Sequence, residues 1–174
     1  MDASGFGLAL VLDDLLGYDR DRFTSLEKRF RQVFPEIKSI KLLREMGYLA
    51  PVDPSRPIPL LQQSEGKGLH FEFGTTGRIV PASQVSDGVL LILAYFTVLY
   101  LPEPPRLLLV EEPENGIHPK RIEDVLGLLR ELVSEQGQTR VVMTTHSPYV
   151  VDLFKPEEVT LCRRDGDGGP PALE

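Results

Sequence analysis

The chain has 174 residues, 41% of them hydrophobic and 26% charged, a balance at which one globular unit buries a core of ordinary size. Its single cysteine, Cys162, excludes an intrachain disulfide, and residues 1–6 lack the basic and apolar regions of a signal peptide, so a reducing cytoplasm is the expected setting. The net charge of -7 excludes general attraction to a phosphodiester backbone, and no cluster of Lys and Arg supplies a local one.

In chain order, Leu8, Leu10, Val11, Leu12, Leu15 and Leu16 predict a helix over about 6–17, and Phe23, Leu26, Phe30, Val33 and Phe34 a second over 22–34, stopped by Pro35. From Ile37 the spacing changes. Ile37, Ile40 and Leu42, then residues 58–61, then the alternation Leu69, Phe71, Phe73, then Ile79 and Val80 after a Thr76-Gly77 turn predict a small antiparallel β meander over 37–82. Its proline-bearing connection, residues 50–59, predicts an exposed loop.

After Pro81 the pattern alternates strand and helix. The longest apolar run, residues 89–101, is interrupted only by Thr97 and falls short of the ~20 residues that span a bilayer. It predicts a buried helix over 87–101 and no membrane partner. A strand over 106–110, an amphipathic helix over 119–135, a strand over 140–144, a short helix over 148–154 and a last strand over 158–162 follow. This alternation predicts an α/β fold with a parallel sheet buried on both faces. Residues 165–174 read as a Gly- and Pro-rich tail, so the expected divisions are 1–36, 37–82, 83–164 and 165–174, all within one structural unit.

Three segments carry chemistry. The apolar run Leu107-Leu108-Leu109-Val110 ends in Glu111-Glu112, followed by Pro113-Glu114-Asn115-Gly116-Ile117-His118. Two carboxylates at the C-terminal end of a parallel strand suit a metal ion and an attacking water, and equally suit a solvated acidic turn. The run Val141-Val142-Met143-Thr144 ends in Thr145-His146-Ser147, where a histidine either donates to a phosphate oxygen or merely caps. Ser86-Asp87-Gly88 opens the apolar helix; its free amides either grip an anion or belong to an ordinary helix cap.

In this order, with Ser86 and Glu111 25 residues apart and Glu112 and His146 34 apart, the segments resemble an ABC-type ATPase of the RecF/SMC/OLD-like (AAA family ATPase) group. Ser86-Asp87-Gly88 is similar to the signature motif and residues 107–113 to the Walker B strand. The resemblance implies a P-loop NTPase-like partial parallel sheet flanked by helices, Glu111 as magnesium ligand, Glu112 as general base, Glu114-Asn115-Gly116 as the D-loop and His146 as the switch histidine. It further implies Mg2+ as cofactor with ATP as substrate, and a head-to-head dimer in which Ser86, Asp87 and Gly88 act in trans, with DNA engaged only through the full assembly.

Two departures stand out. Glu111 replaces the usual Walker B aspartate, and no G-x-x-x-x-G-K-[ST] stretch occurs; Gly66-Lys67-Gly68 is the nearest string and reads as a turn between strands. The expectation is therefore a chain lacking the Walker A lobe, which an N-terminal lobe or separate subunit would supply. In the family's strand order the Walker A strand lies between 140–144 and 158–162. That slot is expected to close by collapse of the last strand, to take a strand from another chain, or to lack order. The alternatives are a non-catalytic head that regulates a complete ATPase, and a Toprim-like nuclease using Glu111 and Glu112 with Asp165 and Asp167.

Overall fold

A computed structural model describes residues 7–49, 62–74, 77–136, 139–163 and 172–173. Helix α1 (Leu8–Tyr18) turns directly into α2 (Arg20–Val33) through Asp19, whose amide donates to Leu15 O at 2.9 Å while its side chain accepts from Arg22 N at 3.1 Å. One residue thus ends one helix and caps the next. The second helix therefore starts two residues earlier than apolar spacing alone predicts. It stops at Phe34 because a residue before proline is driven out of the helical region.

Strands β1 (Ile37–Leu49), β2 (Gln62–Phe73) and β3 (Arg78–Pro81) form an antiparallel sheet in the order β1-β2-β3. The strand expected at residues 58–61 and the loop expected at 50–59 lie outside the described residues, as does Thr76 of the expected turn. Gly66-Lys67-Gly68 is not a turn. It lies inside β2, opposite Glu45, Arg44 and Leu43, with Lys67 Nζ 3.0 Å from Asp13.

Glu72 of β2 faces Lys38, Ser39 and Lys41 at 3.0, 2.8 and 3.2 Å. The Lys38 contact first, then Ser39 and Lys41, pull its carboxyl down to about 2. Because its folded value lies below the ordinary carboxylate value, its contribution to stability is present at neutral pH and is lost as pH falls towards 2. A carboxyl NMR titration should find Glu72 still ionised at about pH 3, and Lys38→Ala should move its midpoint upwards.

Helix α3 (Asp87–Leu99) is buried along most of its length, and its one polar interior residue, Thr97, donates to Leu93 O at 2.8 Å. Helix α4 (Ile122–Gln136) follows a 3-10 turn at Pro119–Arg121. It packs against α3 and against β5 (Arg140–Thr144), which pairs in parallel with β4 (Leu107–Glu111). Phe30, Phe71 and Phe96 bring α2, β2 and α3 onto one core. Arg29 donates from Nη1 and Nη2 to Glu131 at 2.5 and 2.6 Å, joining α2 to α4. No helix among the described residues is long and apolar enough to cross a membrane.

Two expectations about the parallel sheet fail. First, the sheet is not buried on both faces. Leu108, Val110, Val141 and Met143 pack on the core, whereas Leu107, Leu109 and Val142 on the opposite face are 52%, 70% and 55% exposed. Helices lie against one face only, and among the described residues nothing covers the other.

Second, residues 158–162 form no strand beside β5. After α5 (Pro148–Val151), shorter than expected, Pro156–Glu158 forms a 3-10 turn in which Lys155 N donates to Glu158 Oε2 at 2.9 Å. Proline at its first position favours that turn over a strand. Cys162–Arg163 (β6) pairs antiparallel with Ala172–Leu173 (β7), part of the expected tail. Among the described residues β5 pairs with β4 alone, and β1, β2 and β3 form a separate sheet.

Candidate functional site

The in-register pairing of β4 with β5, from Leu107 opposite Arg140 to Glu111 opposite Thr144, brings both C-terminal strand ends to one edge. Glu112 N donates to Thr144 O at 2.9 Å and so extends the ladder one residue past the strand. Glu112 is also the only non-glycine among the described residues with positive φ, 44°. A side chain in this left-handed region costs roughly 1–2 kcal/mol and is tolerated where surrounding bonds hold it. Here the Thr144 contact, and Asn115 N donating to Glu112 O at 2.9 Å, hold it.

The strained backbone presents a carboxylate with both oxygens engaged. Asn115 Nδ2 donates to Oε2 at 2.5 Å, and His146 Nε2 lies 3.4 Å from Oε1. His146 is otherwise open to solvent, its side chain 89% exposed. Glu111, on the bare side of the sheet beside Thr144, is exposed.

Glu114, next in the loop, accepts from Thr145 Oγ1 at 2.5 Å, and Thr145 Oγ1 in turn accepts from Ser147 N at 3.0 Å. Glu114 Oε2 is buried with no partner among the described residues. Burial, and then the Glu114 charge, push the Tyr95 phenol up to about 12.

Ser86 stands at the N-cap of α3 but makes no side-chain cap bond, so its hydroxyl remains outside the capping role. Ser86 and Asp87 are exposed, whereas Gly88 is buried. A Cβ on Gly88 would meet Gly116 O at 2.6 Å and Ile117 Cα at 3.6 Å, so only glycine lets the loop pass this close. Gly116 itself has φ of 76°.

The structure thus gathers Gly88, Glu112, Glu114, Asn115, Gly116 and His146 around the loop at 112–118. Asp165 and Asp167 lie outside the described residues, and no group of three or more potential metal-ligating side chains occurs among the described ones. Residue type and order alone assign no role to Thr145 or Tyr95. A hydroxyl two residues before the N-cap Ser147, and a phenol in a largely apolar helix, are the available signals.

Residues 9–152 match the family described as "AAA domain, putative AbiEii toxin, Type IV TA system". The chain belongs to this AAA-domain family. It is also 25% identical over 118 residues to a protein named OLD nuclease from Thermus scotoductus, an alignment covering 66% of this chain and 21% of that protein. The chain therefore matches about a fifth of that relative's length. A mixed α/β architecture agrees with an AAA-type ATPase domain.

Proposed function

We propose that this chain supplies the signature, Walker B, D-loop and switch-histidine part of an ABC-type ATP-hydrolysing head of the RecF/SMC/OLD kind. A Walker A lobe, elsewhere in the polypeptide or on another subunit, completes it. The observation that carries this reading is the strained Glu112, with His146 3.4 Å away, at the paired ends of two parallel strands. Strained backbone clusters at functional sites, and in open α/β sheets ligands bind at the carboxyl ends of the strands. Beside it, the bare face of Leu107, Leu109 and Val142 and the edge of β5 that no described residue pairs offer the added lobe a seat. Parallel sheets are normally covered on both faces.

In this reading Glu112 accepts the proton of the water that attacks the γ-phosphate, with Asn115 fixing its second oxygen. Exposed His146 donates to a phosphate oxygen. Exposed Ser86 and Asp87 act across a head-to-head dimer, and Gly88 keeps the signature turn against the D-loop. Glu111 is a hard oxygen donor, and a single protein carboxylate with water and phosphate oxygens suits magnesium. The ion would neutralise developing phosphate charge.

The second reading is a non-catalytic head that regulates a complete ATPase, against which the intact Glu112 and His146 argue. Calorimetric titration with Mg-ATP tests the division of the site. The isolated chain is expected to bind weakly, with no steady phosphate release, because P-loop amides and lysine supply most phosphate contacts. Micromolar affinity with turnover by this chain alone would defeat the proposal. Turnover by the complete assembly separates the catalytic head from the non-catalytic one. The nuclease activity in the relative's name belongs to that protein; manganese-dependent DNA nicking by this chain would bring the Toprim-like alternative back.

A further inference from the structure

We infer that Thr145 is a positioning residue, which together with Glu114 latches the histidine loop to the loop that carries the general base. This rests on the ATPase reading for its consequence in catalysis, though not for the latch itself.

The Thr145 hydroxyl has one proton to give and lone pairs to receive. It donates to Glu114 Oε1 at 2.5 Å and accepts from Ser147 N at 3.0 Å. One atom therefore ties down the backbone on both sides of His146. The Ser147 contact alone would be an ordinary threonine turn at the start of α5. The Glu114 contact is different, because it joins segments 31 residues apart. With Glu112 N on Thr144 O it makes two ties between the loops that bring Glu112 and His146 to face each other.

His146 has few other means of holding its place. Its side chain is 89% exposed, so its backbone decides where the imidazole stands. Glu114 is suited to the anchoring role because its hydrogen-bonded oxygen belongs to a carboxylate, and bonds to charged acceptors are the short, strong ones. Its second oxygen is buried without a partner among the described residues, and Tyr95 lies close enough to feel its charge. Neighbouring Asn115 holds Glu112 itself. Consecutive residues of one loop thus fix the base and the histidine relative to each other.

The test compares Thr145→Val, which keeps the shape and removes the hydroxyl, with Thr145→Ser, which keeps the hydroxyl. In this chain at fixed pH, Thr145→Val should speed exchange of the Ser147 amide by about tenfold or more, the loss of one good hydrogen bond. It should also move the His146 ring signals in nitrogen-detected NMR in the direction that Glu112→Gln moves them. Thr145→Ser should bring both back towards the parent values. In the complete ATPase, Thr145→Val should lower kcat by about tenfold with KM little changed, since histidine alignment serves the transition state.

Parent-like Ser147 exchange and ring signals in Thr145→Val would overturn the latch. Should that variant fail to fold, Glu114→Ala must give the same ring shift, and parent-like ring signals there would overturn it equally. If the complete protein hydrolyses no ATP, the ATPase reading falls, while amide exchange and ring signals still decide the latch.

Discussion

Glu112→Gln is expected to lower ATP hydrolysis by the complete head by about 10²–10⁴-fold, the range that a positioned general base contributes. Nucleotide binding and head pairing should persist, because the amide keeps the shape and can still accept from Asn115. Phosphate-release kinetics beside a nucleotide-binding titration make the comparison. The strained backbone adds a second, independent readout. At φ of 44° any residue with a Cβ is penalised, so Glu112→Gly should be more stable than Glu112→Ala by roughly 1 kcal/mol, although both remove the carboxylate and its bonds. Equal stabilities would mean that the left-handed conformation is not held in solution, and the case for a built site would weaken. Loss of hydrolysis in all three variants, with a stability gap between the last two, separates a strained functional residue from an acidic turn.

Much of the second half of the fold is legible because its signals are local. The apolar run of α3, the stripe of α4 and the β-rich runs of β4 and β5 each fix their own conformation. The polar half of β2, Gln62 to Gly68, carries no apolar alternation and becomes a strand only because β1 lies opposite. The expected strand at 158–162 fails for the converse reason. Its residues suit a strand, but among the described residues only Cys162 of that run finds a partner, in Leu173, and Lys155 and Glu158 close a 3-10 turn instead. Likewise a run of apolar residues reports that a strand can be buried, not that both its faces are.

The candidate site divides the same way. Ser86, Glu111, Glu112 and His146 could be singled out from residue type and order. The left-handed Glu112, the fit of Gly88 against Gly116 O and the Thr145 bond to Glu114 could not. Each depends on a partner brought in by the tertiary fold.

Phe30→Ala should be among the most damaging substitutions in this chain. Phe30 is fully buried, with ring centroids at 5.0 Å from Phe34, 6.2 Å from Phe71 and 6.0 Å, edge-on, from Phe96. Emptying such a site costs about 3–5 kcal/mol in transfer and cavity terms, and lost ring contacts add to it. Against a typical total of about 5–15 kcal/mol, this removes a large part of the margin. At roughly 2–4 °C per kcal/mol for a domain of this size, the thermal midpoint should fall by about 10 °C. Leu109→Ala supplies the contrast. Leu109 is 70% exposed on the bare face of β4, so its truncation in the isolated chain should stay within about 0.5 kcal/mol. Circular dichroism melts of both variants decide between local packing and hidden cover. A small effect for Phe30→Ala would deny that one core joins α2, β2 and α3. A large effect for Leu109→Ala would show that something already covers the parallel sheet in solution, and the seat proposed for an added lobe would then be taken.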